Sequence, residues 1–193
     1  MAHVIEGFSR SALARCVRDV AEFLNDEGWG QPPQLYALVP TEDLVAAEPS
    51  LLDELSDGAV LTPIAQEALP SDIDGGSPAL DEFLATTSWP EAVAGCLLAQ
   101  EIVVLPPDAE ADLDDALGPL LSDRDAADAA ARDAAHAHPG RRSARLFAAA
   151  LRDGTTLSML QLKPQDDDED EIELRTYPDL ATNVLDALYA TLD

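Results

Sequence analysis

From Val93 to Leu105 the chain runs almost without a polar residue, and this stretch constrains the fold more than any other. It is shorter than the roughly 18 apolar residues that a bilayer span requires. Its length and its Val/Ile content describe a central strand buried on both faces of a sheet. Glu101 is the odd residue in it. A carboxylate there belongs either at the sheet rim or in a pocket, and the rim is the simpler reading.

Other segments supply the neighbours such a strand needs. Residues 143–163 read as a hairpin with Asp153-Gly154 as a two-residue turn. That turn sets Leu151 opposite Thr156, Ala149 opposite Ser158, Phe147 opposite Leu160 and Arg145 opposite Leu162. Leu35 to Val39 is a short buried strand ended by Pro40. A further strand over 60–68 carries Pro63, which suits an edge position or a bulge.

Helical periodicity is clearest at the two ends of the chain. Over residues 9–27, Leu13, Val17, Val20 and Leu24 form a stripe that Cys16 and Phe23 widen, and Gly28 is the stop. Pro178-Asp179 starts a last helix with Leu180, Val184, Leu185, Leu188 and Leu192 on its buried side. Between them, Thr41 caps a short helix to about Ala47 and Pro49 begins another to Leu55. Ser77-Pro78 opens one whose buried face is Leu80, Phe83 and Leu84. Residues 106–140 are rich in Asp and Ala. They predict a helix from Ser122 to about His136 whose apolar side is all alanine, held weakly by packing. The expectation is a single α+β domain over 1–193. Its mostly antiparallel sheet has five strands (35–39, 60–68, 93–105, 143–152 and 155–163), packed by the N- and C-terminal helices, with a helical insertion at 106–140.

Charge narrows the range of partners. Hydrophobic residues make up 47% of the chain, which excludes wholesale disorder, yet the net charge is -27. No Lys or Arg occurs between Arg18 and Arg124, and Lys163 is the only lysine. Such a surface repels phosphate backbones and anionic lipid, so neither nucleic acid nor membrane is an expected partner. Ala, Asp and Arg in place of Lys, Asn and Ile fit a GC-rich genome, and an acidic coat also fits adaptation to high salt. The N-terminus MAHVIEGFSR lacks a basic segment followed by an apolar one, so the expected location is cytoplasmic. Cys16 and Cys96 sit inside apolar patterns and read as buried free thiols of a reducing compartment.

Candidate sites are few. Asp72-Ile-Asp74-Gly75 echoes the opening of a calcium loop but lacks the glutamate that closes one. His136-Ala-His138 puts two imidazoles on diverging directions of a helix, with no third histidine and no CxxC, so neither a metal nor a cofactor is expected. Arg141, Arg142, Arg145 and Arg152 crowd one stretch of a chain otherwise starved of cations. With His138 they could form an anion site. The simpler reading is that the hairpin, extended past Lys163, brings Arg142 opposite Gln165 and Arg141 opposite Asp166, beside the acidic run 166–171, where opposite charges pair. Trp29, in the loop Gly28-Trp29-Gly30, and Trp89 are candidates for a partner surface or for core packing. There is no GxSxG, no Gly-rich phosphate loop and no dinucleotide fingerprint, and no cation lies near Cys96 in sequence to activate it.

The segments Gly28 to Pro33, Tyr36 to Thr41, Ser88 to Cys96, Leu151 to Gly154 and Pro178 to Leu180 together resemble an actinobacteria-restricted family of conserved proteins with no assigned function. Trp89-Pro-Glu-Ala-Val-Ala-Gly-Cys96 is the most specific part. The resemblance spans nearly the whole chain and implies a cytoplasmic actinobacterial protein. It implies no catalytic or binding residues.

The leading expectation is thus a non-enzymatic interaction or regulatory protein with an acidic surface for a basic protein partner, with a homodimer as a second assembly. The alternative is a small-molecule binder or enzyme that uses Arg141, Arg142 and Arg145 with Glu101 or His138.

Overall fold

At the centre of the computed structural model two long strands, β3 (Gly95–Val104) and β4 (Arg142–Leu151), pair antiparallel from Gly95 opposite Leu151 to Val104 opposite Arg142. The structure describes residues 6–53, 59–67, 69–70, 72–73, 78–105, 130, 133–134, 137–164, 172–176 and 180–193, with the backbone alone for 6–9 and 52. The central pair is extended by β1 (Gln34–Pro40) and β2 (Leu61–Ala65) on one side. On the other side lie β5 (Thr156–Leu162) and β6 (Leu174–Arg175). The order is β2-β1-β3-β4-β5-β6 and every neighbouring pair is antiparallel. Among the described residues the sheet therefore has six strands, not the five expected. The sixth is two residues long, too short for alternation to reveal it.

Successive residues of β3 and β4 point to opposite faces, and both faces are covered. Leu97, Ala99, Phe147 and Ala149 meet α1 (Glu6–Glu27) through Leu13, Val17, Val20 and Leu24. Cys96, Leu98, Ala148 and Ala150 face the other way. They meet α3 (Pro78–Ala85) through Leu80 and Leu84, and α4 (Thr182–Ala190) through Leu188. Each of these fully buried large side chains contributes about 1.5–3 kcal/mol relative to exposure. The small alanines of β4 let helices lie close on both sides. The result is a single α+β domain in three layers, with the two terminal helices on opposite faces.

Two helical expectations change in detail. Phe23 does not widen the α1 stripe; it is 53% exposed, and Ala12 and Ala21 complete the buried face instead. The segment from Pro49 forms a 3-10 turn, Pro49–Asp53, where an α-helix was expected, and the expected end at Leu55 lies outside the described residues. α2 (Thr41–Ala47) has the expected extent, but Thr41 is its first residue and not its cap: Pro40 precedes it with no side-chain cap hydrogen bond, and the Thr41 hydroxyl lies 2.9 Å from that of Thr62 instead. Most of the insertion at 106–140 lies outside the described residues. The last helix begins at Thr182, after Ala181 in the left-handed region (φ +56), and so later than the start expected at Pro178-Asp179.

Pro63 sits on the edge strand. The bonds Thr41 N–H to Val60 O (2.9 Å) and Gln66 N–H to Leu35 O (3.0 Å) bracket the β1–β2 ladder. Alternation between them puts Pro63 where an N–H would face away from β1, so its missing donor costs the ladder nothing and blunts the open edge.

The β4–β5 hairpin has a register one residue from that expected: Ala150 faces Thr156, Phe147 faces Met159 and Arg145 faces Gln161. The connection is a three-residue loop. Gly154 N–H donates to Leu151 O (3.0 Å), Leu151 N–H to Thr155 O (2.8 Å), and Gly154 has φ +92. Arg152 and Asp153 make the turn and Gly154 supplies the left-handed residue that follows it, the usual three-residue alternative to a two-residue hairpin. Thr155 N–H, which the Asp153 carboxylate accepts at 2.9 Å, locks the arrangement. A slip of one residue reverses which β5 side chains face α1. Gln161, not Leu162, therefore stands beside Arg145.

Candidate functional site

Arg145 occupies a position of β4 that points toward α1, and it is 1% exposed. A guanidinium buried so deeply needs counter-charge and acceptors. Three groups surround it. Glu101, its register partner on β3, approaches Nη2 at 3.8 Å, an ion pair longer than a hydrogen bond. Nη2 donates to Gly28 O at 2.9 Å. The Trp29 ring covers the guanidinium with its centroid 4.3 Å from Cζ, a cation–π contact. Burial pushes the Arg145 pKa down and Glu101 pushes it back up, but an arginine stays protonated at any ordinary pH.

Glu101 also ties down the loop that carries Trp29. Gly30 N–H donates to its Oε1 at 2.9 Å, and Gln31 N–H donates to Oε2. The loop can fold back in this way because Gly28 and Gly30 adopt φ +96 and +92, which residues with a Cβ rarely take. The carboxylate is thus not at the rim. It sits within the β3–β4 ladder and binds backbone from 70 residues earlier.

On the far side of Arg145, Gln161 is 2% exposed and its Nε2 donates to Asn25 Oδ1 at 3.4 Å. Lys163 places Nζ 5.9 Å from the Trp29 centroid. The cluster joins the last turn of α1, the following loop and three strands. Two of its buried atoms, Arg145 Nη1 and Gln161 Oε1, have no partner among the described residues.

The remaining arginines do not gather here. Arg142 alternates to the opposite face of the sheet and donates from Nη2 to Lys163 O at 3.1 Å. Arg141 is exposed and donates to His138 O at 3.3 Å, while His138 Nδ1 accepts Gly140 N–H at 3.0 Å in a tight turn. Arg152 lies at the other end of the hairpin. It donates to the carbonyls of Val93 (2.8 Å), Trp89 (3.1 Å), Pro90 (3.0 Å) and Leu192. The arginines expected as one cluster therefore serve separate places. The acidic run 166–171 that was expected to pair with Arg141 and Arg142 lies outside the described residues, as do His136 and Asp74.

Neither tryptophan stands free. Trp89 is half-buried and donates from Nε1 to Thr191 Oγ1 at 3.0 Å, which fastens the loop before β3 to the end of α4. Cys96 lies beside it, and Arg152 supplies the cation that was missing from its sequence neighbourhood. Burial nevertheless dominates and pushes the Cys96 thiol up to about 11. Burial also pushes Cys16 up to about 12. Both are inert as nucleophiles at neutral pH.

Sequence reasoning missed Asn25, Gln161 and Lys163 as members of this cluster. One signal was available: Glu101 and Arg145 are opposite charges, each interrupting an apolar strand, and two such strands that pair bring the charges together. Among the described residues no helix is long and apolar enough to cross a membrane. A family model described as PPA1309-like protein matches residues 13–193, and the chain belongs to that family. No curated protein and no solved structure matches it.

Proposed function

We propose that this member of the PPA1309-like family is a non-enzymatic interaction protein that offers an acidic face to a basic partner protein. The observation that carries the reading is α2. It buries none of its residues, so packing does not account for its surface, and its first turn carries Glu42 and Asp43. Glu48, Asp53 and Glu67 are exposed on the flanking segments, and the adjoining edge strand region leaves Val60 and Ile64 39% and 38% exposed. Carboxylates around a small apolar patch suit a surface that steers a cationic partner electrostatically and then buries a few apolar contacts. The buried Arg145 and the carbonyl-clamped Arg152 are unavailable to neutralise this face.

A homodimer would have to use another face, since two copies of this one repel. The bias toward Ala and Arg over Lys and Ile supports an actinobacterial source, and a cytoplasmic location fits two buried, unpaired thiols.

Affinity capture from a lysate of the source cell at low and at high salt tests the proposal, with a Glu42→Lys/Asp43→Lys variant in parallel. A basic protein retained by the wild type at low salt, released by high salt and absent from the variant is the expected outcome. Equal retention by both proteins would discard the acidic face as the binding surface.

A further inference from the structure

The cluster under Trp29 holds two buried polar atoms with no hydrogen-bond partner among the described residues. Arg145 Nη1 is a buried donor and Gln161 Oε1 a buried acceptor, on side chains 1% and 2% exposed, and neither has a partner among the described residues. They belong to directly opposed residues of β4 and β5 and point to the same face. Both side chains reach the same end of α1, Arg145 to Gly28 O and Gln161 to Asn25 Oδ1. A buried polar atom left unsatisfied is costly, so a group that accepts from one and donates to the other is favoured there.

The surrounding charge selects the kind of group. Glu101 does not complete the guanidinium, because both its oxygens accept backbone N–H groups and its approach to Nη2 is 3.8 Å. Lys163, the only lysine in a chain of net charge -27, is exposed at the same tryptophan. Two cations therefore flank one ring. We propose that this is a binding site for a small oxyanion that also carries a hydroxyl, such as a hydrogenphosphate or a 2-hydroxycarboxylate. An anionic oxygen accepts from Arg145 Nη1, the hydroxyl donates to Gln161 Oε1, Lys163 pairs with the anion at the mouth, and the Trp29 loop closes over it. Glu27 and the carbonyl end of α1 oppose an anion, which holds the affinity to the order of millimolar. The site is independent of the acidic face, and its failure would leave that reading untouched.

The test is a titration of the full-length, 15N-labelled protein with phosphate, glycolate and acetate at constant ionic strength. The readouts are the two indole N–H resonances, assigned with Trp89→Phe, and the Gln161 side-chain amide. Saturable shifts of Trp29 and Gln161 with phosphate, with glycolate or with both, and a weaker response to acetate, are expected; whichever of the two is tighter identifies the ligand as phosphoryl or hydroxycarboxylate. Lys163→Gln, an exposed substitution that leaves the core intact, should weaken binding up to about fivefold. Arg145→Met should abolish it, and if that variant does not fold the lysine variant still decides. No saturable shift with any of the three would mean that water, or a direct bond between the two side chains, satisfies these atoms, and acetate as effective as glycolate would mean that the hydroxyl is not recognised. Either result overturns the proposal.

Discussion

Removal of the Glu101 side chain as Glu101→Ala tests whether the Trp29 loop and the buried Arg145 depend on one carboxylate. Two backbone N–H groups lose a charged acceptor, and hydrogen bonds to charged groups contribute about 1.5–3 kcal/mol each. Arg145 loses the carboxylate that pairs with it among the described residues, and breaking a buried pair from one side costs about 3–5 kcal/mol. These figures overlap. The carboxylate is also 21% exposed and lies 3.8 Å from the guanidinium, so water takes up part of the loss. A net destabilisation of about 2–4 kcal/mol is expected. Arg145→Met fills similar volume without charge. The double variant should therefore be more stable than the sum of the singles, by about 1–2 kcal/mol. Urea unfolding followed by far-UV circular dichroism measures all four corners of the cycle, provided the slopes agree. A coupling within about 0.5 kcal/mol of zero would refute the claim that Glu101 holds Arg145 in place.

Two other predictions concern the core. A Cβ added at Gly95 would lie 2.4 Å from the backbone oxygen of Ala150 and 2.5 Å from Leu151 Cδ2. The leucine tip can move, but the carbonyl cannot without opening the β3–β4 ladder, so Gly95→Ala should cost about 2–3 kcal/mol; an unchanged urea midpoint would contradict this close approach. Cys16 and Cys96 ionise at about 12 and about 11 when folded, against 9.0 for a free thiol. Their contribution to stability is full below pH 9.0 and falls from there toward pH 11 to 12, because the unfolded chain releases these protons first. Comparison of urea midpoints at about pH 8 and about pH 10 should show a drop that Cys96→Ala reduces; a drop of the same size in the variant would count against it.

Most of the elements were legible because they depend on local periodicity. The α1 stripe from Leu13 to Leu24, the apolar run of β3 and the proline of β2 each declare a burial pattern within a few residues. Phe23 misled because a helix stripe shows which residues lie near the apolar face, not how far the sheet extends beneath them. The hairpin was legible as a hairpin, but Asp153-Gly154 fits two loop lengths. Only the carbonyl of Leu151, bound by Gly154, distinguishes them. β6 was illegible because two residues hold no period.

By itself, then, the sequence determined the α+β class, the strands of the core, the burial of both thiols and the concentration of negative charge before Arg124. Those properties follow from side-chain type at fixed spacing along the backbone. The tertiary structure alone decided that the terminal helices cover opposite faces. It also decided that Arg145 stands between Glu101 and Gln161 beneath Trp29, and that Arg142 points the other way. Those relations span up to 117 residues and turn on a one-residue choice of register. They belong to the packing of whole elements, and no pattern within one element encodes them.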